Sequence, residues 1–139
     1  SWRNYKFKLL KTAKTKIKAK TAIKSLSKGR LYITATLNNT IVTFTDENGQ
    51  TLAWSSSGGV GFKGSRKATP YASTTAVETV LNKIKDYNIK YLDVFLKGPG
   101  TGRDATLRAL RATPFKITQI VDITPLPHNG ARQPKTRRI

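Results

Sequence analysis

The two ends of this chain contain no acidic residues, and this constrains the fold more than any other feature of the sequence. Residues 1–30 hold 11 Lys and Arg, and residues 124–139 hold 4. Residues 31–123 hold 11 basic and 7 acidic residues, a balance that is ordinary for a folded domain. The sequence therefore predicts a globular domain over residues 31–123, between a basic N-terminal extension (1–30) and a basic C-terminal tail (124–139).

The formal net charge of +19 favours a polyanionic partner, either nucleic acid or an anionic membrane. Lysines recur at every second position over residues 14–20, which would scatter them around a helix and leave no apolar face. No stretch approaches the roughly 18 apolar residues that a membrane span needs. We therefore expect no membrane insertion. The N-terminal arm is predicted to be extended or disordered until its partner orders it, although a merely solvated tail remains open.

The first half of the middle region has the pattern of antiparallel strands. Residues 31–37 and 40–45 are rich in β-branched and aromatic residues and flank Asn38 and Asn39. This predicts a hairpin, because Asn tolerates the positive φ of a tight turn. A second turn at residues 46–49 precedes a third strand over residues 51–55.

From Thr69 and Pro70 onward the apolar period becomes helical. Thr69 is the predicted cap, Pro70 suits the first turn, and Asn88 is the predicted stop. The predicted buried stripe consists of Ala72, Ala76, Val77, Val80, Leu81 and Ile84. The remaining predicted elements are a strand (90–96), a short helix (103–112) and a last strand (116–123). The order βββαβαβ favours an α/β fold with a mixed sheet packed by helices.

Two Gly-rich loops carry basic residues that could contact phosphate. The first, residues 55–67, contains Lys63, Arg66 and Lys67; the second, residues 97–103, lies between a strand and a helix. Such a loop can form an anion site, with an RNA phosphate, a structural turn and a free nucleotide as alternatives. The second loop does not match the sequence motifs of nucleotide-binding loops, because Arg103 stands where a dinucleotide-binding loop has its third Gly and no Gly-Lys-Ser/Thr follows. Within and after this loop, Lys97, Arg103 and Arg108 are predicted to bind RNA.

Catalysis is poorly supported by the residues available. The chain has no Cys, and its seven acids lie in different predicted turns, helices and strands, which suits caps and ion pairs better than a metal site. His128 is the only histidine and is expected to stack on or hydrogen-bond to RNA. We predict no enzymatic activity, no metal and no cofactor; the alternative is a metal-dependent nuclease.

Several segments resemble the bacterial-type family of small-subunit ribosomal protein eleven, in the order and spacing of that family. The similarity runs from about Gly29 to Ile139. The matching segments are residues 38–43, 61–70, 97–100, 102–103 and 122–130, the last reading Asp-Ile-Thr-Pro-Leu-Pro-His-Asn-Gly.

The resemblance implies a ribonuclease-H-like fold, a mixed five-stranded sheet packed by two helices with extended basic N- and C-terminal tails, used without catalysis. It also implies a structural role in the small ribosomal subunit, on its platform, beside neighbouring platform proteins and close to the exit path of messenger RNA. In the family pattern, the positions that face small-subunit rRNA are Lys63, Arg66, Lys67, Arg103, His128, Asn129, Arg132, Lys135, Arg137 and Arg138.

Two departures from the family pattern affect the tail and the start of the chain. Ala131 replaces the usual Cys, and Gln133 and Thr136 interrupt the basic ending, so fewer tail contacts are expected. The Lys-rich segment before Gly29 matches nothing in the family, which favours a mitochondrial ribosome over a plastid or bacterial one. Ser1 is taken as the start of the mature chain.

Overall fold

The computed structural model describes residues 26–136 and residue 138, and it has the element order that the sequence predicts. The predicted features of residues 1–25 lie outside these described residues. The elements are β1 (Lys28–Ala35), β2 (Thr40–Thr45), β3 (Thr51–Ser56), α1 (Pro70–Ile84), β4 (Tyr91–Lys97), α2 (Gly102–Arg111) and β5 (Lys116–Asp122), with short 3-10 helices at Gly64–Ala68 and Lys85–Tyr87.

The five strands form one mixed sheet in the order β3-β2-β1-β4-β5. β2 is antiparallel to both of its neighbours, whereas β1, β4 and β5 are mutually parallel. The carboxyl ends of β1, β3, β4 and β5 therefore point to the same edge of the sheet, which we call the carboxyl edge. Both Gly-rich loops and the C-terminal tail start there.

The core lies between the sheet and the two helices. All six residues of the predicted helical stripe are buried, and all but Ala72 belong to one core cluster with Leu31, Ile33 and Leu92 of the sheet and Leu110 of α2. Thr69 caps α1, since its hydroxyl accepts a hydrogen bond from the Ala72 amide at 3.4 Å. Asn88, in the left-handed conformation, ends the helical segment after Lys85–Tyr87. Burial of this apolar stripe is the main force that fixes α1 on the sheet.

The first hairpin forms where it is predicted, but by a different turn. Neither Asn38 nor Asn39 has a positive φ, so that expectation is wrong. β1 ends at Ala35, and a longer turn closes through hydrogen bonds from the Thr36 amide to the Asn39 carbonyl (2.8 Å) and from the Asn39 amide to the Thr36 hydroxyl (3.0 Å). Because the Thr36 side chain closes the turn, neither Asn has to adopt a positive φ. At its other end β1 begins at Lys28, within the predicted N-terminal extension.

Two contacts outside the core bear on the sheet. On the face opposite the helices, Tyr32 and Phe95 stack with ring centroids 5.0 Å apart. At the β3 side, the Lys83 ammonium of α1 donates a hydrogen bond to the Trp54 carbonyl at 3.0 Å. No helix within residues 26–136 combines the length and the apolar character that a membrane crossing requires.

Candidate nucleic-acid interface

The first Gly-rich loop projects basic side chains from the carboxyl edge beyond β3. Gly61 and Gly64 take positive φ values of 106° and 61°, which let the chain turn sharply before the 3-10 helix. Lys63 and Arg66 are exposed, and Lys67 is half-buried. With no acid in the loop, these side chains present unopposed positive charge to solvent.

The second Gly-rich loop is held tightly against the hairpin that follows β1. Gly98 has a φ of 98°, and a Cβ atom there would collide with the Ala35 carbonyl oxygen. The Gly100 amide donates a hydrogen bond to that same oxygen at 3.0 Å. Only glycine fits the Gly98 position, so the loop has a fixed path.

The two loops are joined directly. The Thr101 hydroxyl donates a hydrogen bond to the Ala68 carbonyl at 2.7 Å, which links the start of α2 to the end of the first loop. Lys63, Arg66 and Lys67 therefore lie on the same side of the molecule as exposed Lys97. The sequence places these loops 30 residues apart and gives no signal for this contact.

Arg103, predicted to bind RNA, already has partners within the protein. Its guanidinium donates from Nη2 to Asp122 Oδ2 at 2.8 Å and from Nη1 to the Gly98 carbonyl at 3.1 Å. Its side chain is 31% exposed. Whether Arg103 also contacts RNA stays a prediction.

Asp122 and Thr124 complete a ring of hydrogen bonds with Arg103 and Gly98, which we call the exit ring. Asp122 Oδ1 accepts from the Thr124 hydroxyl at 2.6 Å and from its amide at 3.0 Å. The Thr124 hydroxyl accepts from the Gly98 amide at 3.1 Å. The hydroxyl and amide of Thr124, followed by the Arg103 guanidinium, lower the pKa of Asp122 from its usual 3.8 to about 2. Sequence reasoning missed this ring, although the Asp-Ile-Thr-Pro segment contained two of its members.

The C-terminal tail leaves the carboxyl edge directly after the exit ring. Residues 125–136 are exposed throughout, and Asn129 has a φ of 53°, which redirects the chain just before the basic residues. The predicted tail residues His128, Arg132, Lys135 and Arg138 are all solvent-accessible, whereas Arg137 lies outside the described residues. Arg108 is also exposed, but on the surface of α2 rather than in the two loops.

Four of the seven acidic residues occupy structural positions. Asp46 accepts hydrogen bonds from the Asn48 and Gln50 amides and closes a turn, Asp104 lies in the first turn of α2, and Asp93 and Asp122 form ion pairs with Lys28 and Arg103. Among the described residues, no three His, Asp or Glu side chains come close enough to hold a metal ion.

The features above define a class of protein: a basic α/β domain that presents loops and a tail of cationic side chains, as nucleic-acid-binding proteins do. The model of the family described as ribosomal protein S11 matches residues 29–138. The chain belongs to this family and is thus a structural, rRNA-binding protein of the small ribosomal subunit, a kind of protein that is generally not enzymatic.

Proposed function

We propose that this protein binds rRNA on the platform of the small subunit through its carboxyl edge, and that it thereby supports subunit assembly and translation. The observation that carries the proposal is the hydrogen bond between Thr101 and Ala68, which unites the two basic loops at the edge from which the basic tail also leaves. The predicted neighbours are other platform proteins, and the predicted site is close to the messenger RNA exit path.

The chemistry of the carboxyl edge fits an RNA backbone. Exposed Lys63 and Arg66 can neutralise phosphates and release their counterions, which supplies most of the affinity of such proteins. Arg66 can bond two phosphate oxygens at once through its planar donor fork. The exposed imidazole and amide of His128 and Asn129 suit unpaired bases, whose edges and faces are accessible in folded RNA.

We also propose that the fold is of the ribonuclease-H-like type, used without catalysis. The sheet order β3-β2-β1-β4-β5, with only β2 running against the others, supports this assignment. The proposed organisation remains an N-terminal extension, a globular domain and a C-terminal tail. The exposed residues from Pro125 onward support the last of these boundaries.

We further propose a mitochondrial ribosome as the location, because the Lys-rich segment before Gly29 lies outside the family match. A tagged full-length chain is expected to sediment with mitochondrial small subunits after detergent treatment. Its recovery in plastid particles instead would contradict the location and leave the RNA-binding proposal intact.

A matched pair of lysines tests the RNA-binding surface. Lys63 and Lys90 are both exposed, but Lys90 directly precedes β4, at the sheet edge opposite the two loops. We expect Lys63→Ala to weaken binding to in vitro transcribed small-subunit rRNA and to lower the slope of log K against log salt by about 1. Lys90→Ala should leave the slope unchanged.

The measurement is a titration at several KCl concentrations, with thermal unfolding of each variant as the check on folding. Both substitutions remove one positive charge, so a non-specific effect of net charge would act equally on both. Equal slopes for the two variants would overturn the carboxyl edge as the binding surface. A wild-type slope near zero would show that phosphate neutralisation does not contribute to binding, and it would overturn the proposed role of the cationic surface.

A further inference from the structure

The exit ring lies at the point where the chain stops being part of the sheet. Thr124 follows β5 by two residues, and its hydroxyl is fully used, since it donates to Asp122 and accepts from the Gly98 amide. Arg103 closes the ring by binding both Asp122 and the Gly98 carbonyl. Three elements, the β4–α2 loop, α2 and the end of β5, thus hold one residue of the departing chain.

We propose that Asp122, Thr124 and Arg103 are positioning residues that set the direction in which the C-terminal tail leaves the sheet, and so determine how many of its basic side chains reach the RNA. The inference rests on the proposed function, because it concerns the path of the tail toward that same rRNA. In this role Arg103 acts on RNA binding indirectly, through the path of the tail, and a direct contact with phosphate is not required.

The segment after the ring can transmit this direction. Pro125 and Pro127 fix their own φ angles near −65° and restrict the residues that precede them. Asn129, with its φ of 53°, then turns the chain. Because few rotations are free between Thr124 and the turn, an error in direction at Thr124 would displace the basic residues that follow.

The ring contributes more to direction than to the stability of the domain. The Asp122 side chain is 52% exposed, and an exposed ion pair adds little to the free energy of unfolding. The ring members also lie outside the apolar core. Removing one hydrogen bond from the ring should therefore leave the sheet folded while it frees the tail.

The side chain of Thr124 offers a clean substitution. Thr124→Val keeps the shape and removes the hydroxyl that both donates and accepts, whereas Thr124→Ser keeps the hydroxyl. We expect Thr124→Val to lower the slope of log K against log salt, measured with in vitro transcribed small-subunit rRNA, by about 1. Thr124→Ser should bind rRNA with the wild-type salt slope. If the Thr methyl group acted only through its shape, Thr124→Ser would lower the slope and Thr124→Val would not.

A second background tests whether the effect passes through the tail. In a full-length chain carrying Arg132→Gln, Lys135→Gln, Arg137→Gln and Arg138→Gln, Thr124→Val should have no further effect, because the tail has lost the charges that it would deliver. An equal effect of Thr124→Val in both backgrounds would overturn the inference, as would no effect in the wild-type background.

Asp122→Asn keeps the test decisive if Thr124→Val fails to fold. It removes a negative charge, so simple electrostatics predicts tighter RNA binding and a steeper salt slope. The exit ring predicts the opposite, a shallower slope, because both ion pairing and the bonds to Thr124 are weakened. A steeper slope for Asp122→Asn would overturn the inference. If the tail-neutralised chain and the wild type bind alike, the proposed role of the tail itself fails, which is a distinguishable result.

Discussion

Two aspartates on neighbouring strands of the sheet have opposite environments. Asp93 of β4 is only 4% exposed, yet one of its oxygens is 3.3 Å from the Lys28 ammonium and the other accepts no hydrogen bond from any described residue. Asp122 at the end of β5 is half-exposed, and both of its oxygens are bonded. A buried charge depends on its partner for stability, whereas an exposed and fully bonded one serves mainly to fix geometry.

The largest expected effect comes from the backbone of the exit ring. Gly98→Ala would place a Cβ atom against the Ala35 carbonyl oxygen at a positive φ, so the loop must move and the ring must open. We expect the free energy of unfolding to fall by about 3 kcal/mol, measured by urea denaturation.

Gly49→Ala is the matched control for this substitution. Gly49 also has a positive φ, 87°, but a Cβ atom there meets no other atom within 4 Å. We expect a loss of only about 1 kcal/mol from backbone strain. Equal losses at the two glycines would show that the contact with Ala35 adds nothing, and the exit ring would then be less constrained than the geometry indicates.

A smaller effect is expected at the buried aspartate. Lys28→Ala leaves the Asp93 carboxylate buried without its cation, which in fully buried pairs costs roughly 3–5 kcal/mol. Because Lys28 is 38% exposed and its charge is screened by water, we expect about 2 kcal/mol here. The measurement is urea denaturation of Lys28→Ala beside Lys90→Ala, which removes an exposed lysine that is not paired with Asp93. Equal free energies of unfolding for the two variants would mean that Asp93, like Asp122, gains little stability from its cation.

The smallest effect concerns the acid titration of Asp122. Its pKa is lowered to about 2 in the folded protein, so the contribution of its bonds is fully present above the ordinary pKa of 3.8 and is lost as the pH falls toward 2. We expect wild-type stability to fall more steeply than that of Asp122→Asn between about pH 4 and pH 2. Parallel curves of stability against pH would mean that the bonds to the Asp122 carboxylate add no net stability in solution.

The parts of the fold that follow from local patterns could be predicted from the sequence. The stripe of α1 and its cap at Thr69 depend on residues within one helix, and both are confirmed. The turn after β1 was predicted from the tolerance of Asn for positive φ, but Thr36 closes it through side-chain bonds to the Asn39 backbone, which that preference of Asn does not indicate. Local rules identify elements more reliably than they identify the bonds that close them.

The basic residues of the candidate site could be predicted from the sequence, but the contacts that position them could not. Lys63, Arg66 and Lys67 stand out because a Gly-rich loop without acids exposes them. The exit ring joins positions 98, 103, 122 and 124, and it depends on β4 and β5 being parallel neighbours. The Thr101–Ala68 bond joins segments that follow β4 and β3, which are not neighbours in the sheet. The ion pair of Arg103 with Asp122 was likewise not predicted, because it joins residues that are distant in the sequence.

The hydrogen bond from Lys83 to the Trp54 carbonyl has a consequence for the protein before it joins a subunit. β3 is an edge strand, and unpaired carbonyls along an edge invite pairing with a strand of another molecule. The Lys83 ammonium binds the carbonyl of Trp54 in this strand and so places a positive charge at the edge. A second copy approaching this edge would meet like charge, which is one of the ways in which edge strands are kept from pairing with other chains.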